Sequence, residues 1–258
     1  MRYFLELQYK GANYAGWQVQ DNAVAVQQKV DEALSVLLQH HVNTVGCGRT
    51  DTGVHATQFF AHFDSEQKID AKEKFIFSLN GILPCDINIL DLHPVAATAH
   101  ARFDATERTY HYFIYTTKNP FLKNTALYFN KLLDIDAMND ACSLLFNFTD
   151  FSCFSKTNTQ VKTNNCQISF AKWQHENDLI QFKITADRFL RGMVRAIVGT
   201  MLQLGQGRIT LKDFENIIRS KDRKAAGQAV DACGLYLTEI KYPYLKSINH
   251  NAFALKML

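Results

Sequence analysis

The sequence predicts a mixed α/β (α+β) protein made of two tandem ferredoxin-like β-α-β-β-α-β units, whose antiparallel sheets flank a central cleft. Three observations lead there. Period-two strands and 3.6-period helices alternate along the chain, the same element order is met twice, and a loop from His93 to Glu107 separates the two passes. The expected domains are 1–105 and 106–258. The repeat is one of element order, without residue-level identity between the halves.

The elements follow in order. Tyr3 to Tyr9 alternates as a strand and leads to Tyr9–Gln18, a loop rich in glycine and aromatic residues. Such a loop suits a flat or polar partner, or aromatic packing beneath it. Val26, Val30, Ala33, Leu34, Leu37 and Leu38 recur at helical spacing and make one apolar face. Val42 to Val45 and Phe59 to Phe63 read as strands. Phe75, Leu79, Ile82 and Leu83 mark a second helix that Pro84 stops, and Ile87 to Leu92 is a fourth strand. In the second half, Thr109 to Thr116 alternates, and Ile135 to Phe146 has a helical apolar stripe. Cys166–Gln174 and Leu179–Ala186 flank the polar turn Glu176-Asn177-Asp178, a hairpin signal. A long helix is expected from about Phe189 to Leu204, a short one from Leu211 to Arg219, and a closing strand over Leu235–Tyr242.

Composition narrows the class. The 258 residues are 47% hydrophobic and 21% charged, the balance of a water-soluble globular chain. No signal peptide is expected, because Met1-Arg2 runs directly into a strand, and no apolar run nears the roughly 18 residues of a membrane span. The expected location is the cytoplasm, with no membrane partner. The six scattered cysteines include no Cys-x-x-Cys pair, so they read as reduced packing residues. A net charge of +3 neither demands a nucleic-acid partner nor excludes one.

Chemistry concentrates in three stretches. The first is Gly46-Cys47-Gly48-Arg49-Thr50-Asp51-Thr52-Gly53-Val54-His55-Ala56, where three glycines crowd an arginine and a carboxylate between strands. Asp51, ionised at neutral pH and oriented by the neighbouring Arg49, has the makings of a nucleophile or base; it also suits an ordinary tight turn. The second is the long helix. Arg188, Arg191 and Arg195, at i, i+3 and i+7, share the one stripe its apolar residues leave. A cleft-facing arginine there needs an anion, for which a phosphate or Asp51 would serve; a solvated edge paired with Asp or Glu is the alternative. The third is Ala101-Arg102-Phe103-Asp104 leading to Arg108-Thr109-Tyr110-His111-Tyr112. A tyrosine at a strand start beside arginines can stack on a base, whereas Tyr112 reads as core. No histidine pair has metal-ligand spacing, and no redox or nucleotide cofactor motif is present, so no metal and no cofactor are expected.

Taken together these stretches resemble the tRNA pseudouridine synthase A family. Gly48–Ala56 is similar to its catalytic motif, Arg108–Tyr112 to its Arg-x-Tyr-x-Tyr motif, and Phe189–Gly199 to its Met-Val-Arg helix. Gly16-Trp17-Gln18 and Gly234-Leu235-Tyr236-Leu237 match shorter signatures. The resemblance implies that Asp51 is the nucleophile and that Arg49 helps extrude the target uridine. Tyr110 would stack on the base and assist proton transfer, and Arg195 would pair with Asp51. It further implies tRNA as substrate, at uridines 38, 39 and 40 of the anticodon stem-loop, a homodimer, and phosphate contacts from Arg102, Arg188 and Arg191. The loop Ser155–Asn165 departs from the family pattern, offering Lys156 and Lys162 where an arginine is expected.

Two rivals differ in class. Asp51-Thr52-Gly53 spells the aspartic-protease triplet, but that chemistry needs a second carboxylate sharing a proton, and no second triplet exists. A non-catalytic tRNA-binding or tRNA-folding module on the same scaffold has no use for a carboxylate near phosphates.

Overall fold

The computed structural model describes residues 1–156, 163–176 and 179–245. Among them, nine strands and five α-helices alternate in a mixed α/β arrangement. They fall into two compact units, Met1–Thr106 with the described residues from Leu237 onward, and Glu107–Tyr236.

In the first unit the order is β1 (Arg2–Tyr9), α1 (Val26–Leu38), β2 (Val45–Gly46), β3 (His55–Asp64), α2 (Lys72–Ile82) and β4 (Ile87–Val95). The sheet runs β4-β1-β3, antiparallel throughout, with β2 antiparallel on β3. Leu5 stands opposite Ala61 on one side and Leu92 on the other. Phe4, Leu5 and Leu7 of β1 and Phe59, Ala61 and Phe63 of β3 are all buried, so both central strands are covered on both faces. α1 buries the stripe Val26, Val30, Ala33 and Leu34. α2 ends at Ile82 because Leu83, ahead of Pro84, is already extended.

The expected strand over Val42–Val45 is reduced to the two residues of β2. The reason is local. The backbone N–H of Val42 donates to Ser35 Oγ and that of Thr44 to Asp31 Oδ1, at 2.9 Å each. Side chains of α1 thereby take the donors that a ladder would have used.

The second unit holds β5 (Glu107–Tyr115), β6 (Leu127–Tyr128), α3 (Ile135–Leu145), β7 (Ile168–Glu176), β8 (Leu179–Ala186), α4 (Met193–Gly205) and α5 (Leu211–Ser220). β9 (Leu235–Lys241) is the last strand among the described residues, and its first two residues belong with this unit. The strands run β5-β8-β7, antiparallel, with β6 parallel to β5. α3 is pinned to β7 by Asn139, whose side chain accepts from the Trp173 N–H and donates to its carbonyl. Trp173 stacks on Phe182 at 4.7 Å and reaches Met201 of α4, which buries almost every residue it has. The turn residues Asn177 and Asp178 and the loop residue Lys162 lie outside the described residues.

α4 corrects the expected long helix. It starts at Met193, because Gly192 sits at φ 71° in the left-handed region and the Arg191 carbonyl accepts from the Lys156 N–H instead of from the helix. Arg188 and Arg191 therefore precede the helix, and only Arg195 is on it. The three-arginine stripe does not exist as a helical face.

Candidate active site

The Asp51 turn lies in the first unit. Asp51 is half-buried, its carbonyl accepts from the Val54 N–H at 3.1 Å, and β3 begins at His55. Preceding it, Thr50 is buried and its hydroxyl shares a 3.0 Å hydrogen bond with Tyr9 of β1. The Tyr9–Gln18 loop supports the turn from beneath. The Tyr14 carbonyl accepts from Gly53 N–H, and Gly11 N–H donates to His55 Nδ1 at 3.1 Å. Gly16 lies so close that a Cβ on it would stand 2.1 Å from the Thr50 carbonyl oxygen, and its φ is +87°. Only glycine fits there. Trp17, 2% exposed, stacks on Phe59 at 4.2 Å, so the aromatic content of this loop is packing.

The loop is anchored in turn by Asp86. The Tyr14 hydroxyl donates to Asp86 Oδ1 at 2.5 Å, Asn13 Nδ2 donates to Oδ2, and the Asp86 carbonyl accepts from Lys10 N–H. Burial and this carboxylate together push the Tyr14 phenol well above its ordinary range. Sequence reasoning missed Asp86 because it lies 35 positions beyond Asp51 in an unremarkable turn; the neighbouring Pro84 was the only local signal. Tyr14→Phe, which removes one charge-assisted bond, is expected to lower unfolding stability by about 1.5–3 kcal/mol, read from the urea midpoint.

Arg49, two positions before Asp51, is exposed. It lines a cleft of about 170 Å³ whose other walls include Trp17, Gln18, Thr44 and Arg102. Arg102 is held by a turn in which every step is hydrogen-bonded. His62 Nδ1 accepts from Ala101 N–H, and His100 Nδ1 accepts from Arg102 N–H and Phe103 N–H. Asp104 accepts from His100 N–H and from the Tyr244 hydroxyl.

Both histidines work as acceptors, which requires the neutral ring. Burial lowers His62 to about 4 and lowers His100, and in the second unit it lowers His111 to about 4. A base with a depressed folded-state pKa binds its proton mainly when unfolded, so stability is full above about pH 6.5 and is lost as pH falls towards 4. Asp31, raised to about 6 chiefly by burial, acts in the opposite sense for one proton and does not outweigh three histidines. The midpoint of thermal unfolding is therefore expected to fall progressively between pH 7 and pH 4.5.

In the second unit Tyr110 is half-buried near the start of β5, its ring edge-on to Phe189 at 5.1 Å. Tyr112, fully buried, donates its hydroxyl to the Asp231 carbonyl and is core. Arg195 is half-buried; its Nε donates to the Val230 carbonyl at 2.6 Å while Val230 N–H donates back to the Arg195 carbonyl, which fixes the guanidinium's plane. Arg188 is half-buried, with its N–H on Asp187 Oδ1, and Arg191 is exposed.

Against known proteins, a tRNA pseudouridine synthase family model matches residues 141–243. Over 242 residues, 94% of this chain and 96% of the relative, the sequence is 50% identical to tRNA pseudouridine synthase A of Parabacteroides distasonis. The chain belongs to the tRNA pseudouridine synthase A family. It is thus an isomerase. The relatives of the same name from Porphyromonas gingivalis and Caldicellulosiruptor bescii are 48% and 39% identical, over 94% and 92% of this chain and 97% and 98% of their own.

One further cluster in this isomerase escaped the sequence. Glu6 on β1 and Asp91 and His93 on β4 bring ligand-type atoms within 4.8 Å of one another. Lys72 already pairs with Asp91, His93 hydrogen-bonds Glu6, and Gln58 donates to Glu6 while accepting from Ile240 N–H, so each member of the group already has a partner. Adjacent strands created it from residues far apart in the chain. The four fully buried cysteines carry no such chemistry; for Cys142, Cys153 and Cys166, burial pushes the thiol up to about 12.

Proposed function

We propose that the chain converts uridine to pseudouridine in tRNA, at positions 38, 39 and 40 of the anticodon stem-loop, through the Asp51 carboxylate. The reaction breaks the N1–C1′ bond, turns the uracil, and joins C5 to C1′; the C5 proton leaves and N1 gains one. Atoms and electrons balance within the base, so the step requires no oxidant and no energy donor. It requires a carboxylate to add covalently, at C1′ or at the ring, and a base outside its stack.

Asp51 supplies the carboxylate. Arg49, exposed on its cleft, helps extrude the uridine; Tyr110 stacks on the base and assists proton transfer; Arg195 pairs with Asp51. Arg102, Arg188 and Arg191 take phosphates, which makes binding strongly salt-dependent. The enzyme works in the cytoplasm as a homodimer without a cofactor. The observation that carries the reading is the 50% identity to a named tRNA pseudouridine synthase A over 94% of the chain. The rigid support under the Asp51 turn favours it, since a nucleophile must be held in place. Each unit is read as ferredoxin-like, supported by the orders β4-β1-β3 with β2 on β3, and β5-β8-β7.

The site choice is tested with unmodified tRNAs carrying a single uridine at 38, 39 or 40, followed by carbodiimide treatment and primer extension. Stops at each of the three positions, and none at uridines elsewhere, are expected. Stops only outside the anticodon arm would contradict the proposed target.

A further inference from the structure

Phe103 has no place in the mechanism, yet its ring is 73% exposed beside Arg102, which with Arg49 lines one cleft. An exposed phenylalanine on a surface turn is ordinarily tolerated as a loose, mobile side chain. This one is not loose. His100 lies against the ring at 4.3 Å and 35°, and the Arg102 guanidinium stands 5.7 Å from its centroid. The backbone beneath is fixed by His62 and His100 as acceptors, by the Tyr242 hydroxyl on the Ala101 carbonyl, and by Arg2 on the Ala99 carbonyl. The fold has therefore set an aromatic surface against His100 and Arg102, and Arg102 is one wall of a cationic cleft.

We infer that Phe103 and Arg102 form a nucleotide subsite for an unpaired nucleotide of the RNA other than the reacting uridine, with the base on the Phe103 ring and the phosphate on the Arg102 guanidinium. The inference rests on the tRNA reading above. The chemistry is general: a ring held rigid loses little entropy when a base stacks on it, and stacking tolerates any base because each has a π face. The guanidinium fork matches phosphate oxygens. Such a subsite grips a loop nucleotide in many tRNAs without reading its identity.

The test uses the full chain with Phe103→Ala, Phe103→Tyr and Phe103→Trp. Phe103→Ala is expected to weaken tRNA binding about tenfold and to raise KM far more than it lowers kcat, at an unchanged thermal midpoint. Phe103→Tyr restores binding. In Phe103→Trp, added tRNA quenches the new indole, against the background of Trp17 and Trp173, while a blunt RNA duplex does not. Wild-type affinity in Phe103→Ala, or an indole unmoved by bound tRNA, overturns the subsite and leaves the tRNA reading intact. Failure of the wild type itself to bind tRNA overturns that reading instead.

Discussion

Asp51→Asn is expected to lower kcat by on the order of 10⁴-fold, while tRNA affinity and the unfolding midpoint stay near wild type. The substitution keeps the side chain's size and removes its nucleophilic charge. It leaves in place the supporting bonds made by the Asp51 carbonyl, Gly53 N–H and Thr50 hydroxyl. Single-turnover kinetics, a filter-binding isotherm and a thermal melt separate the three quantities. Equal losses of binding and activity would mean that the carboxylate shapes the loop and does no chemistry.

Gly16→Ala is expected to have the second largest effect, and it acts at a distance from the carboxylate. At φ +87° any L-residue costs about 1–2 kcal/mol, and its Cβ would stand 2.1 Å from the Thr50 carbonyl oxygen. The two backbones must separate, carrying Asp51 with them. A destabilisation of about 3 kcal/mol is expected, with a loss of roughly 10²-fold in kcat even at temperatures where the variant is folded. Gly81→Ala, whose Cβ meets nothing within 4 Å on α2, serves as the control and is expected to be neutral or slightly stabilising. Urea unfolding and steady-state rates on both variants decide it. Full activity in Gly16→Ala would show that the close approach does not position the nucleophile.

Strong local periodicity made most of the elements legible. α1 occupies the span its apolar stripe marked, α2 ends at the proline, and β5, α3, β8 and β9 lie within two residues of expectation. Failures arose where a tertiary partner redirected the backbone. Val42–Thr44 looks like a strand until Ser35 and Asp31 claim its N–H groups. Phe189 and Leu190 keep the phase of the α4 stripe, but Gly192 and the Lys156 bond to the Arg191 carbonyl stop the helix short of them. At the site, the glycine-rich motif around Asp51 was visible as a motif. Its support was not, because Gly11, Gly16, Tyr14 and Asp86 reach it from other elements. Arg49 was visible in the same motif, but the cleft it lines with Trp17 and Arg102 was not, because those residues come from distant parts of the chain.

The central claim, a cofactor-independent isomerisation through Asp51, is tested most directly by tritium release from unmodified tRNA labelled at C5 of uridine. Forming the C5–C1′ bond expels that hydrogen, so the label reports the reaction itself. The account predicts release by wild type without added metal or nucleotide, with none from Asp51→Asn under conditions where both bind the tRNA. Release undiminished in Asp51→Asn, or none from a wild-type chain that binds the tRNA tightly, would contradict it.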